Sequence, residues 1–307
     1  MVTPTPPVRT LHPRLREFVF TAKRFLRNPL SVIGLALIFL FGMVALLAPV
    51  LAPPKYADHY KIPHTGFRIE PSPPSIEHPL GTTQQQYDIL YAMIWGTRSA
   101  FRIGVLVVAA NLFIGILLGA IAGYFGGLVD EIIMRVTDVF YAIPFLVMAM
   151  ALVVAIGRGL KAVIIVLIIL EWPSYTRVLR SDILVTRSKD FILAARASGA
   201  SHLRVILSHI MPNAMYSVLI LASLNIGTTI LTAAALSFLG LGSDTGTADW
   251  GQIVSMARNW IIGAPGNRFA YWYTVFIPGF VISLFVLGWN LLGDAVRDVF
   301  DPKMRRR

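Results

Sequence analysis

The sequence predicts an all-α integral membrane protein with six transmembrane helices, and three observations carry that prediction. Of its 307 residues, 56% are hydrophobic and 14% charged, with a mean hydropathy of +0.68, too apolar for the surface of a soluble domain. Six apolar runs approach the about 20 residues that, at about 1.5 Å rise each, cross the about 30 Å hydrocarbon layer. The basic residues behind the net charge of +11 flank these runs instead of forming one patch. That is the pattern of membrane orientation, with the lipid bilayer and not nucleic acid as partner.

The elements follow in order. Residues 1–30 form an N-terminal segment and 31–52 the first span, Ser31–Ala52. Its apolar core exceeds a signal-peptide h-region, and Pro53 and Pro54 follow the only small-residue site, so it reads as a retained signal anchor. Residues 53–99, rich in Pro and polar groups, read as an irregular extracytoplasmic segment. Residues 100–294 hold a five-helix core with spans near Ala100–Tyr124, Val139–Ile156, Ala162–Tyr175, Met215–Leu236 and Tyr271–Leu292. The run at Ala162–Tyr175 is short and is expected to continue past Pro173 with a kink at Trp172–Pro173. Between the last two spans, about 237–270, glycine-rich turns suggest short interfacial helices carrying Trp250 and Trp260. Residues 295–307 form a basic tail.

Lys and Arg set the orientation. With the N-terminus inside, segments 1–30, 125–138, 176–214 and 293–307 hold six, one, six and five of them, eighteen of the 27 in the chain. Both termini are therefore expected in the cytoplasm of a multi-pass protein of the bacterial-type inner membrane. Gly115, Gly119, Gly123 and Gly127 fall on one helical face and permit close backbone approach, either within the chain or at a subunit contact. Glu171, Asn225 and Asn290 are polar residues that hydrocarbon tolerates poorly, so each should face protein or an aqueous path. Glu171 could meet a peptide amino group or pair with a neighbouring basic or hydroxyl group.

The cytoplasmic stretch 190–213, DFILAARASGASHLRVILSHIMPN, lies between two spans. Ala194, Ala195, Ala197 and Ser198 build a helix with little side-chain bulk, and Gly199 is a natural stop. Val205, Ile206, Ile210 and Met211 form an apolar stripe before Pro212, which is expected to end or kink the segment. A small-residue helix at the membrane surface suits docking into a groove on a partner; an ordinary connecting loop is the alternative.

AAR followed by Gly199 and then Pro212 resembles the EAA–glycine–proline signature of membrane subunits of bacterial ABC importers. FLRNPLSVIGLALI, HPLGTTQQQYDIL, GYFGGLVDEIIMRVTDVFYAIP, LSFLGLG and PGFVISLFVLGWNLLGDAVRDVFDP, in this order, look like C-type permease subunits of the dipeptide/oligopeptide family. The resemblance implies a type I ABC importer permease fold. Its implied partners are a second, B-type permease, one or two cytoplasmic ATPase subunits that carry ATP and Mg, and an extracytoplasmic substrate-binding protein. Carried over by position, Leu193, Ala194, Ala195, Arg196, Ser198, Gly199, Ala200 and Ser201 fall at the element that couples to the ATPase. Glu171, Asn225 and Asn290 are the candidates for the translocation path.

The chain departs from the family pattern in three places. Leu193 stands where the signature has Glu, His209 and Met211 replace the usual Ile and Leu, and Thr83, Gln86 and Tyr87 replace Asp, Gly and Arg. No GxxxxGK[ST] phosphate loop is present, so the subunit is expected not to be catalytic and to bind no cofactor itself. Without Cys or an HExxH spacing, no thiolate or common zinc motif is available. Other cargo, such as glutathione or nickel chelates, fits the same motifs. A self-sufficient secondary transporter or channel would instead need inverted repeats and midplane charges.

Overall fold

The computed structural model describes Phe25 and residues 28–300, with side chains up to residue 298. The basic clusters of the N-terminal segment and of the tail after residue 300 lie outside the described residues. Among the described residues, nine helices carry the fold: α1 Pro29–Leu51, α2 Ile89–Phe125, α3 Gly127–Ala142, α4 Phe145–Ile156, α5 Leu160–Arg187, α6 Asp190–Ala197, α7 His202–Phe238, α8 Trp250–Met256 and α9 Trp272–Phe300. Five of them (α1, α2, α5, α7 and α9) are long and apolar enough to cross a membrane. A bent pair, α3 and α4, makes a sixth span if counted as one.

That pair corrects the expected third span. Val139–Ile156 is not one helix, because α3 ends at Ala142, Ile143 turns extended, and α4 leaves at 92° to α3. Pro144 causes the break, since the residue before a proline is pushed out of helical backbone. The GYFGGLVDEII block is therefore mostly helix. Asp130 of α3 makes a two-pronged ion pair with Arg180 of α5, one contact at 2.6 Å, and Arg177 reaches Asp138 at 2.5 Å.

Other boundaries move too. The irregular stretch expected over residues 53–99 gives way to helix at residue 89, because Asp88 accepts a hydrogen bond from Tyr91 N at 2.7 Å and so caps α2. Residues 295–300 continue α9 instead of starting a tail. The fourth span continues past Pro173 to Arg187, as the sequence suggests. Pro212 neither ends nor sharply interrupts its helix. A π-helical turn, Val205–Ile210, precedes it, and Asn213 Nδ2 donates to the His209 carbonyl at 2.7 Å.

The core assembles around α2 and α5. A Cβ on Gly115 would overlap that of Tyr175, one on Gly119 would lie 2.9 Å from the Thr176 carbonyl oxygen, and one on Gly123 would lie 2.9 Å from the Ile183 Cβ. The glycine face is thus an intramolecular seam. Gly127 does not belong to it; it opens α3 with nothing within 4 Å of its side-chain position.

At the opposite end from α6, residues 53–88 and 239–271 pack together into a cap. Ile62 N donates to the Gly246 carbonyl at 2.8 Å and Ala248 N to the Tyr60 carbonyl at 2.7 Å. Trp250 is not interfacial: it is buried against Phe41 and Phe285, and its indole N–H donates to the Met93 carbonyl at 3.1 Å. Gln86, at the position where the family has Gly, has φ +61. Its side chain offsets that backbone strain by donating to the Glu70 carbonyl at 2.5 Å and accepting from Ser72 and Thr82 hydroxyls at 2.7 and 3.1 Å.

Candidate functional site

The docking segment is built from the end of α5 outward. Lys189 is the extended N-cap of α6, which carries Asp190 in its first turn and Arg196 in its last, charges that match the helix dipole at each end. Ile192 is fully buried against Leu179, Ile183, Val205 and Ile210. With that one residue anchored, Phe191, Leu193, Ala194, Arg196, Ala197, Ser198 and Gly199 are exposed, while Ala195 and Ala200 are half-buried.

Local hydrogen bonds close the helix. Ser198 N and Oγ both donate to the Ala194 carbonyl, at 3.0 and 2.9 Å, and Gly199 N donates to Arg196 O at 2.9 Å. Gly199 has φ +80, the left-handed conformation that ends a helix at least cost in glycine. Ser201 then caps α7 by accepting from Arg204 N at 3.4 Å. All eight residues expected at the coupling element, Leu193 to Ser201, therefore sit in one helix and turn. Leu203 and Leu207, one turn apart on α7, add exposed apolar side chains beside it. Leu193, at a position where the resemblance implies Glu, adds an exposed apolar side chain to this surface.

Three further residues, Tyr124, His202 and Arg187, fix this segment to the bundle. Tyr124, near the end of α2, shares a 2.7 Å hydrogen bond between its hydroxyl and His202 Nδ1, and its ring lies under the Arg196 guanidinium at 5.0 Å. Arg187 Nη1 donates to the carbonyls of Gly123 and Tyr124 at 2.9 and 3.2 Å, satisfying the end of α2. Arg196 thus packs inward on an aromatic face as well as facing solvent. Sequence reasoning missed Tyr124 as an anchor. The available signal was an aromatic residue with a polar tip at the end of a span, just before a glycine stop.

The second group of candidates lies inside the bundle. Glu171 Oε2 accepts from Thr229 Oγ1 at 3.0 Å and from Asn111 Nδ2 at 3.4 Å, and Asn225 Nδ2 donates to the Tyr175 hydroxyl at 3.1 Å. Glu171 and Asn225 thus each take part in a hydrogen bond between α5 and α7, Glu171 with Thr229 and Asn225 with Tyr175, and Asn111 of α2 adds a contact to Glu171. Glu171 has hydroxyl and amide partners and no basic one among the described residues. Asn111 is fully buried and its Oδ1 has no partner. Asn290 is not in this group: it faces Gly227 from α9, its Oδ1 3.2 Å from where a Cβ would be. Asn111 was legible as a lone amide in an apolar run, whereas Thr229 and Tyr175 gave no signal of their own.

Comparison with known proteins bears on the family and the fold. Residues 115–306 match the family model described as "Binding-protein-dependent transport system inner membrane component". Residues 20–71 match "N-terminal TM domain of oligopeptide transport permease C". The chain is 38% identical to the dipeptide transport system permease protein DppC of Alkalihalophilus pseudofirmus over 92% of this chain and 89% of that one. It is 35% identical to the oligopeptide transport system permease protein OppC of Bacillus subtilis, over 92% and 88%. A probable D,D-dipeptide transport system permease protein of Escherichia coli is 37% identical over 90% and 88%. Among solved structures, a chain from inward facing conformations of the MetNI methionine ABC transporter has a TM-score of 0.55 at 18% identity, covering 69% of this chain and 98% of that chain. The fold is therefore shared with an ABC transporter permease.

Proposed function

The chain belongs to the family of binding-protein-dependent transport system inner membrane components, and we propose that it is the C-type permease subunit of an ATP-driven importer of di- and oligopeptides. It contributes half of the translocation path; a second, B-type permease supplies the other half. ATP is hydrolysed on one or two separate cytoplasmic ATPase subunits, and an extracytoplasmic substrate-binding protein delivers the peptide. Both termini and α6 face the cytoplasm, in keeping with the Lys/Arg bias.

The observation that carries this reading is the way α6 is built. Its outer face is largely apolar, with Phe191, Leu193, Ala194 and Ala197 exposed between Asp190 and Arg196, suited to a groove, while Ile192, Arg196 and His202 tie it to α2, α5 and α7. A push on α6 therefore moves the spans, because packed elements shift between discrete arrangements and do not deform smoothly. The Gly115–Gly119–Gly123 seam holds α2 and α5 together as one body in that movement. Glu171 and Asn225 lie between the helices that would move, and Glu171 is the candidate contact for a peptide's amino group.

The test is reconstitution of the complete complex in liposomes. Uptake of a labelled peptide should require ATP inside and loaded binding protein outside, and ATP hydrolysis should rise when the loaded binding protein is added. Uptake by this chain alone, indifferent to ATP, would overturn the reading. Glu171→Gln should raise the peptide concentration for half-maximal uptake by roughly fivefold if the carboxylate meets the amino group, the scale of one charged contact of ~1 kcal/mol. An unchanged value and unchanged peptide preference would remove Glu171 from the path.

A further inference from the structure

Arg98 holds a place that the importer function does not explain. Pro49 lies within α1 and has no backbone N–H, so the carbonyl of Ala45, four residues earlier, has no helical donor. Arg98 of α2 fills that vacancy: its Nε donates to the Ala45 carbonyl at 2.6 Å. The guanidinium also lies 5.1 Å from the Trp95 ring centre, and Trp95 donates its indole N–H to the Ala52 carbonyl at 2.9 Å. Two α2 side chains thus complete the proline-broken end of α1.

Only Nε is used in this way. Arg98 makes no ion pair with any described residue, and Asp58, on the segment above, instead caps the backbone N–H of Tyr60 at 3.0 Å. The two remaining nitrogens of Arg98 have no acceptor among the described residues, and Arg98 itself lines an open cleft of about 440 Å³ with Gly42, Ala45, Leu46, Tyr60 and Phe101. Arg102 stands one turn along the same face of α2, about 6 Å away along the axis, exposed and without an acidic partner among the described residues. From Arg102 to Phe125, α2 is about 35 Å long, so the two arginines stand at a membrane boundary when the rest of α2 crosses the hydrocarbon.

We infer that the cleft between α1 and α2 is a binding site for an anionic phospholipid, its phosphate on Arg98 and Arg102 and one acyl chain along Gly42, Leu46 and Phe101. Charge complementarity selects this occupant: two guanidinium groups without carboxylates, at headgroup depth, above an apolar slot. The position on α1 selects it too, since Leu46 and Val50 there are 72% and 75% exposed and apolar, a face made for lipid. Bound lipid would supply acceptors to the unused guanidinium nitrogens and brace α1 against the core.

The test uses the complete transporter complex, delipidated in detergent and titrated with phosphatidylglycerol or phosphatidylcholine under native mass spectrometry. Wild type should bind phosphatidylglycerol at least about fivefold more tightly than phosphatidylcholine, and inorganic phosphate at millimolar concentration should not displace it. Arg102→Gln, which removes no hydrogen bond within the protein, should weaken phosphatidylglycerol binding about fivefold and leave phosphatidylcholine unchanged. Gly42→Phe, placed where nothing lies within 4 Å of an added Cβ, should weaken both lipids by filling the slot. Equal affinity for the two lipids, no effect of Arg102→Gln, or displacement by inorganic phosphate would overturn the site. A photo-crosslinker at position 42 that captures a partner subunit in place of lipid would do the same.

Discussion

Gly115→Ala should destabilise this protein even though alanine is the better helix former. The added Cβ would overlap the Tyr175 Cβ and stand 3.0 Å from the Tyr175 carbonyl carbon and 3.1 Å from Thr176 N. These are backbone or near-backbone atoms, which no rotamer change can move, so α2 and α5 must separate along their shared seam. Overpacking of this kind costs about 1–3 kcal/mol, and separation also loosens the contacts of Gly119 and Gly123. Against it stands a gain of about 1 kcal/mol in helix propensity. Because backbone atoms cannot give way, the upper part of that range applies and the net loss is about 1–2 kcal/mol, which for a chain of this size lowers the melting midpoint by about 2–3 °C. Gly42→Ala in α1 is the control, since nothing lies within 4 Å of its new methyl group. It should keep the propensity gain and melt at or slightly above wild type. The assay is fluorescence-detected size exclusion of the detergent-solubilised complex after heating. If Gly115→Ala melts with wild type, or if Gly42→Ala is the worse of the two, the seam does not hold α2 to α5 as described.

Three further outcomes are expected. Gly199→Val places a β-branched residue at φ +80, so peptide uptake per ATP hydrolysed should fall about tenfold, a ~1.4 kcal/mol effect, while the complex still assembles; unchanged coupling would separate α6 from the ATPase. Gln86→Ala keeps the left-handed backbone and loses the bonds to Ser72, Thr82 and Glu70, which should cost about 2–3 kcal/mol, with Gln86→Gly recovering about 1 kcal/mol of it; equal melting of Gln86→Ala and wild type would deny those bonds any net worth. Asp130→Asn should loosen α3 from α5 at a cost of about 1–2 kcal/mol, discounted because both side chains are partly solvated, and should raise amide exchange in α3; the same rate as wild type would show that Pro144 alone orients it.

Much of α6 and the turn after it was legible in sequence because its constraints are local. A run of small residues and a glycine at the stop fix a short helix and its end without reference to distant residues, and Gly199 at φ +80 behaves accordingly, whereas Pro212, expected to end or kink the segment, lies inside α7. The polar cluster was half legible. Glu171 and Asn225 stood out against hydrocarbon, yet their partners Asn111, Thr229 and Tyr175 come from three different helices, and pairing across helices has no sequence period. Asn290 stood out equally and joins neither residue, because polarity alone does not say which neighbour a helix face will meet.

By itself the sequence determined the membrane class and the number of apolar runs, since crossing hydrocarbon is a matter of length and composition. It also determined the family, through blocks spread along the chain. Pro144 already marks in the sequence where the third apolar run breaks, and the structure adds the 92° angle of that break. Tertiary structure alone decided that the glycine face closes on α5, and that Arg98 serves a carbonyl left open by Pro49 on another helix. In these two cases the deciding contact joins residues far apart in the chain, where backbone groups that lipid cannot satisfy must find protein partners and packing alone chooses which.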